Sequence, residues 1–243
     1  MHPVAALVAS YLVGSIPSAY LAGRAKGVDL RKHGSGNLGA TNVFRVLGAK
    51  TGVVVFAADF AKGALPVALF PERIAAPHPE LWAIAFGVGA ILGHVRPVFL
   101  LGRGGGKGVA TAGGVFFALA PLAMVISFAA FAVVLASTGY VSLGSLTAAV
   151  VLPTVLLVRG DPASPVLIMS VIVAGFVFWT HRANIGRLRR GEEHRFGKRG
   201  RPNGDVDVHP EPPAGATSAP PTDRRIRRRL DDRERRRETR GGD

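Results

Sequence analysis

The sequence predicts an all-α integral membrane protein with about seven transmembrane helices, some short or broken, followed by a charged tail. Three observations lead there. Almost half of the 243 residues are hydrophobic, although the formal net charge is +14. The two properties are segregated: apolar runs fill residues 1–181, whereas residues 182–243 hold eighteen Lys and Arg against eleven Asp and Glu. Several runs reach the ~18–20 residues that a helix needs to cross a ~30 Å hydrocarbon layer. A run such as 115-VFFALAPLAMVISFAAFAVVLAS-137 also lacks the polar face that a soluble amphipathic helix keeps. Backbone groups in lipid must be satisfied within their own segment, so runs of this length are read as helices.

The first run, 3–23, lacks the positive leader region of a cleavable signal peptide. Arg24, Lys26, Arg31, Lys32, Arg45 and Lys50 crowd the connection after it, so the positive-inside rule puts that connection in the cytoplasm and the N-terminus outside. The second run, 51–70, contains Asp59 and Lys62, which helical spacing brings together as a neutralising pair. It ends outside, in 71-PERIAAPHPE-80, whose single Arg is balanced by acids. The third run, 81–101, returns to the basic stretch 94-HVRPVFLLGRGGGKG-108, with His94 expected as a capped histidine at the interface.

Run 109–137 decides the parity. As one helix it would place the basic tail outside. Broken near Pro121 into two shorter elements, it leaves and returns, so that 138-TGYVSLG-144 and the C-terminus are cytoplasmic. Runs 141–158 and 163–180 complete the count. Short or broken helices at membrane depth are tolerated only around protein or a water-filled cavity, and therefore point to a site. The domain reading is a membrane domain over 1–200 and a tail over 201–243. The Pro- and Gly-rich stretch 201–223 and the mixed charge block 224–240 read as disordered or transiently helical.

Several chemistries are excluded. There is no cysteine, no H-E-x-x-H and no dense carboxylate set, so neither a metal nor a cofactor is expected. The basic block lacks interleaved aromatics or a recognised module, which argues against a nucleic-acid partner. In 33-HGSGNLGATNVFRVLG-48, Gly34, Gly36 and Gly39 spell the dinucleotide fingerprint G-x-G-x-x-G. That fingerprint needs a hydrophobic strand just before it, and 24-RAKGVDLRKH-33 is too charged to be one. The cluster 102-GRGGGKG-108 has Leu101 and Gly108 where a P-loop needs Gly and Ser or Thr. A triad of Ser35, His181 and Asp59 can be drawn, but Ser35 is not in a G-x-S-x-G elbow. None of the histidines opens an H-x-x-x-x-D motif.

What remains is anion chemistry. Unhindered backbone N–H groups beside Lys107 open a helix near Val109, and helix N-termini attract anions. In 181-HRANIGRLRRGEEHRFG-197, a helical continuation of the last span would put His181, Asn184 and Leu188 on one face, with Arg187 close by. Three distant segments then converge on the cytoplasmic side with phosphate-compatible donors. Each alone is explained as a turn or a charged rim; together they describe a site.

Together these segments resemble the bacterial membrane acyl-phosphate:glycerol-3-phosphate acyltransferases of the PlsY type. The likeness is carried by 34-GSGNLGATNVFRVLG-48, 93-GHVRPVFLLGRGGGKGVAT-111, 181-HRANIGRLRRGEE-193 and 59-DFAKGALP-66, and covers residues 1 to about 197. The resemblance implies a seven-helix membrane enzyme that moves a fatty acyl group from acyl phosphate to the 1-hydroxyl of glycerol 3-phosphate, giving lysophosphatidic acid and phosphate. It further implies that Ser35, Arg45, Lys107, His181 and Asn184 act as catalytic residues. Gly36, Asn37, Asn42, Gly104, Gly105, Gly106, Gly108 and Ser142 would bind substrate, and Glu193 would order the third motif. It favours a donor role for His181, with a substrate phosphate oxygen taking the proton. Partners are the two substrates, the bilayer and a soluble enzyme that makes acyl phosphate. The acyl chain is expected between helices near Gly87, Gly89, Gly113 and Gly114, whose size permits close packing. The rival reading is a membrane transporter of phosphate or glycerol phosphate; it is disfavoured because the polar motifs all lie on one face and the external loops are poor in donors.

Overall fold

The computed structural model describes residues 1–160 and 164–197, and every regular element among them is helical. The tail expected over 201–243 lies outside the described residues. The helices are α1 (Pro3–Gly14), α2 (Ser18–Ala25), α3 (Ala40–Leu47), α4 (Ala49–Leu69), α5 (Pro79–Val95), α6 (Val109–Leu119), α7 (Pro121–Thr138), α8 (Val141–Arg159), α9 (Pro165–Thr180) and α10 (Arg182–Arg189). Single 3-10 turns follow α4 at Pro71–Arg73 and α5 at Val98–Leu100.

The breaks are written in the sequence. Proline lacks a backbone donor and pushes the preceding residue out of the helical region, which separates α1 from α2 at Pro17. The same effect splits the 109–137 run: Ala120 leaves the helical region at φ −149°, ψ 68°, and Pro121 opens α7. Gly48 at φ 85° divides α3 from α4, and Gly139 at φ 78° ends α7. Five stretches are long and apolar enough to cross a membrane, or six if α9 and α10, bent by 58°, form one; the apolar α6 is shorter. The exterior is apolar as well. Val54, Val133 and Val158 are at least two-thirds exposed, a surface that suits lipid rather than water.

Glycines set the closest helix crossings. α1 packs on α5 through Gly14, which lies against the Ala90 backbone, and Gly93, which lies against the Tyr11 carbonyl. α4 packs on α6 through Gly63 against the Thr111 carbonyl and Gly114 against the Phe60 carbonyl. A Cβ at any of these positions would sit inside the partner's backbone, which cannot swing aside as a side chain can. Of the four small residues assigned to the acyl path, only Gly113 lines an open cleft. Gly87, Gly89 and Gly114 are filled by Val115, Leu7 and Phe60, because their role is helix packing. Gly114→Leu is therefore expected to destabilise the α4–α6 pair by about 3 kcal/mol. A thermal midpoint in detergent within 2 °C of the parent would contradict that assignment.

Two apolar clusters organise the interior. One joins α4, α5, α6, α7, α8 and α9 around Phe116, Val115 and Met169. The other gathers Ala19, Leu30, Leu38, Val43 and Val55, with Leu100 packed against it. Through Leu38 and Leu100, this second cluster ties the first glycine loop to the chain after α5. Asp59 and Lys62 form the expected pair, with Nζ 2.9 Å from Oδ1 and both side chains buried. His94 departs from expectation: it is not an interfacial cap but lies buried, its Nδ1 3.7 Å from the same carboxylate oxygen. Its position in the last turn of α5, facing α4, overrides the polar character of the ring.

Candidate active site

The first glycine loop is a clasp built around Asn42. This residue is buried on α3, where its Oδ1 accepts the Ser35 N–H at 2.9 Å and its Nδ2 donates to the carbonyls of Leu30 at 3.2 Å and His33 at 3.1 Å. Gly34 adopts φ 61°, and a Cβ there would strike Asn42 Oδ1, so glycine is required for the clasp to close. Asn42, expected to bind substrate, has both amide hydrogens committed to the loop and instead fixes its shape. The Ser35 hydroxyl is exposed and has no hydrogen-bond partner among the described residues. Gly36 at φ 69° lies beside the Arg31 carbonyl, and the Asn37 amide leans over Gly39 at the start of α3. Arg45 occupies the last turn of α3.

The second loop turns back under α5. Leu101, Gly102, Gly104 and Gly108 all have positive φ, and Gly108 caps α6. Gly105 rests on the carbonyls of His94 and Val95, Gly106 rests on the His94 imidazole, and the Leu38 side chain lies beside Gly104. This packing carries Lys107 across to the third motif, where its Nζ donates to Asn184 Oδ1.

At His181 the chain bends by 58°, so the straight continuation of the last span expected from the sequence is replaced by the separate helix α10. His181 Nδ1 lies 2.8 Å from the Val177 carbonyl, which can only accept. The ring hydrogen is therefore on Nδ1, leaving Nε2 of the neutral ring as an acceptor. Asn184 is buried, and its Nδ2 donates to Glu193 Oε1 at 2.5 Å. The same carboxylate accepts Ser142 Oγ at 2.9 Å and Arg187 Nε at 2.7 Å. Ser142, expected on a loop, lies buried in the first turn of α8. The segment after Glu193 then straps the group together: the Phe196 N–H donates to the Gly139 carbonyl at 2.6 Å, and its ring meets Phe44 edge-on at 5.6 Å.

The electrostatics follow. Burial pushes Lys107 down to about 8; Glu193 opposes this, while Arg187 and Arg45 add to it. Burial lowers Arg45, with Glu193 pulling the other way and Arg187 adding to the shift. For Glu193, burial alone would raise the carboxyl, but the hydrogen bonds from Asn184, Arg187 and Ser142 outweigh it and leave it lowered. His181 is within electrostatic reach of both Lys107 and Glu193. The structure thus brings Arg45, Lys107, Ser142, His181, Asn184 and Glu193 into one cluster. Among the described residues no contact of Ser35 reaches that cluster; it is tied to it through Asn42 and α3. Sequence reasoning placed Arg187 near this face but gave it no partner, and gave no role to Phe196. An isolated Phe after a Gly-Glu-Glu turn in a basic stretch was the available signal for the last.

The class is now defined: a multi-pass helical membrane protein with a cationic, donor-rich cluster where three distant motifs meet. The glycerol-3-phosphate acyltransferase family model matches residues 4–191, and the chain belongs to that family. A glycerol-3-phosphate acyltransferase of Geotalea daltonii is 45% identical over 190 residues, spanning 78% of this chain and 95% of its own. That of Aquifex aeolicus is 44% identical over 191 residues, spanning 78% and 97%. The crystal structure of PlsY, an integral membrane glycerol 3-phosphate acyltransferase, in its glycerol 3-phosphate form superposes with a TM-score of 0.74. It is 42% identical and covers 80% of this chain and 96% of its own. Its lysophosphatidic acid form gives 0.72 at 40% identity, covering 80% and 95%.

Proposed function

We propose that the protein transfers a fatty acyl group from acyl phosphate to the 1-hydroxyl of glycerol 3-phosphate at the Lys107–Asn184–Glu193 cluster. The observation that carries this reading is the Lys107 to Asn184 hydrogen bond, which joins the glycine-rich loop to α10 with Arg45 beside them. Two phosphate-bearing substrates repel each other, and a shared cationic cluster with backbone donors offsets that repulsion.

In the reaction the glycerol 3-phosphate oxygen attacks the acyl carbonyl carbon, a new C–O ester bond forms, and the C–O bond to phosphate breaks with its electron pair leaving on phosphate. The hydroxyl proton passes to His181 Nε2 and from there to a phosphate oxygen of the leaving group. The mixed anhydride is already activated, so positioning and charge stabilisation do most of the work. Lys107 and Arg45 neutralise the developing phosphate charge, with Ser35 binding at the loop edge. The lone pair on His181 Nε2 accepts the hydrogen bond of the attacking hydroxyl and aims it, an acceptor role in place of the donor role that the resemblance suggested. The acyl chain enters an open, apolar cleft among α6, α7, α8 and α9, lined by Val109, Gly113, Phe116, Met124 and Val177. Val177 also supplies the carbonyl that holds His181, so the cleft runs up to the reacting end.

We further propose seven membrane elements with the cluster facing the cytoplasm, a membrane domain over 1–200 and a soluble enzyme as the source of acyl phosphate. The N-terminal ammonium donates to the Arg73 carbonyl at 2.6 Å, so the N-terminus and the α4–α5 connection share the end opposite the cluster. A cysteine introduced at the exposed Lys26 is expected to react only after the membrane is permeabilised; labelling of intact cells would refute this orientation. The activity is tested by giving purified protein acyl phosphate and labelled glycerol 3-phosphate. Label is expected in lysophosphatidic acid, and its absence would end the enzyme reading.

A further inference from the structure

The Asp59, Lys62 and His94 group is not used by the chemistry above. It nevertheless sits directly behind the glycine-rich loop. Charges at membrane depth are expensive and are kept for a reason. A pairing of Asp59 with Lys62 alone would neutralise the charge, but the group does more. Lys62 Nζ also donates to the Ile16 carbonyl at 2.9 Å, at the break between α1 and α2 where Pro17 leaves backbone acceptors free. His94, 6% exposed, stands against Asp59 on one side and against Gly106 on the other. A narrow crevice with room for about one water runs between these groups, bounded by Ile16, Pro17 and Ser18 at one side and by Gly104, Gly105 and Gly106 at the other. A continuous chain of contacts therefore leads from the α1–α2 break through Lys62, Asp59 and His94 to Gly106, and the next residue is Lys107.

We propose that His94, braced by the Asp59–Lys62 pair, is a positioning residue that sets the seat of the glycine-rich loop and so the place of the Lys107 ammonium. The imidazole forms a rigid shelf: Gly105 lies on the His94 and Val95 carbonyls and Gly106 on the ring itself, each too close to admit a side chain. A smaller residue at 94 lets the loop sink, and a larger one at 106 lifts it; either change moves Lys107 away from Asn184. The test against glycerol 3-phosphate rests on the acyltransferase reading.

His94→Ala and Gly106→Ala are each expected to raise KM for glycerol 3-phosphate about tenfold, less than the roughly 10²-fold that a full ångström of misplacement can cost. His94→Gln, which refills the shelf, is expected to recover most of the loss. The double variant His94→Ala/Gly106→Ala is expected to be no worse than either single one, because both act on the same loop; independent sites would multiply to about a hundredfold. The thermal midpoint separates this from simple unfolding and is expected to change by less than 3 °C in His94→Gln. A multiplicative double variant, or His94→Ala with unchanged KM, overturns the proposal. If the unmodified protein transfers no acyl group, the functional reading fails. The shelf is then judged by the ¹³C signal of reductively methylated Lys107, assigned by its loss in Lys107→Arg. That signal is expected to shift in His94→Ala, and an unmoved signal would sink the inference.

Discussion

Replacing Lys107 by Ala is expected to lower kcat/KM about 10³-fold while the protein stays folded in detergent, a loss typical of removing one preorganised group that stabilises developing charge. The ammonium is the cation that joins the glycine-rich loop to α10, and its bond to Asn184 already aims it at the cluster before substrate arrives. The same geometry sets a pH dependence. Burial holds Lys107 at about 8, below its ordinary value, so the charged form is lost as pH rises through that value. kcat/KM, which reports the free enzyme, is expected to fall above about pH 8. Bound phosphate favours the charged lysine, so the limb in kcat lies at higher pH. Stability moves the other way: the unfolded chain holds this proton more tightly, so the folded state gains between about pH 8 and the ordinary lysine range. Activity lost while the thermal midpoint holds or rises identifies titration rather than unfolding. A flat profile between pH 7 and 9.5 would mean that the charge of Lys107 is not required.

Much of the architecture was legible because the breaks are chemical. Pro17 and Pro121 each stand at a break between helices and mark the splits of the 3–23 and 109–137 runs, whereas Pro66 and Pro153 lie inside the continuous helices α4 and α8. The convergence of the three motifs was legible too, since charge placed them on one face and only a few residue types bind phosphate. What periodicity could not supply was depth. His94 looks interfacial in a one-dimensional string because its polarity is visible and its partner, Asp59, is 35 positions away on another helix. Asn42 looks like a phosphate ligand for the same reason: its amide is drawn without the carbonyls of Leu30 and His33 that occupy it. The bend at His181 was missed because nothing in His-Arg-Ala breaks a helix; the ring's bond to Val177 belongs to the turn that closes there.

Glu193 carries the second large effect, although it is not expected to touch substrate. Its two oxygens accept from Asn184, Ser142 and Arg187, which come from α10 and the start of α8, and the strap beyond it reaches Gly139 and Phe44. Removing the carboxylate leaves the Arg187 guanidinium without its ion pair and frees Asn184 to rotate away from Lys107. Glu193→Ala is accordingly expected to lower kcat/KM about 10²-fold through misplacement of Lys107 and Asn184. Loss of the charge-assisted hydrogen bonds adds about 1–3 kcal/mol of destabilisation. Glu193→Gln separates the two contributions. The amide can still accept from Asn184 and Ser142, so stability is largely kept. The negative charge that supports the Lys107 ammonium is gone, and the alkaline limb of kcat/KM is expected below the parent's value of about 8. The acid side runs in the opposite sense. Glu193 is lowered in the folded state, so its contribution to stability is present above the ordinary carboxylate range and is lost as pH falls through the folded value. The melting profile of Glu193→Gln should therefore be flatter than the parent's below pH 5. An unmoved alkaline limb in Glu193→Gln would mean that the carboxylate acts only as a brace. A Glu193→Ala variant with parental kcat/KM would show that Lys107 and Asn184 hold their places without it.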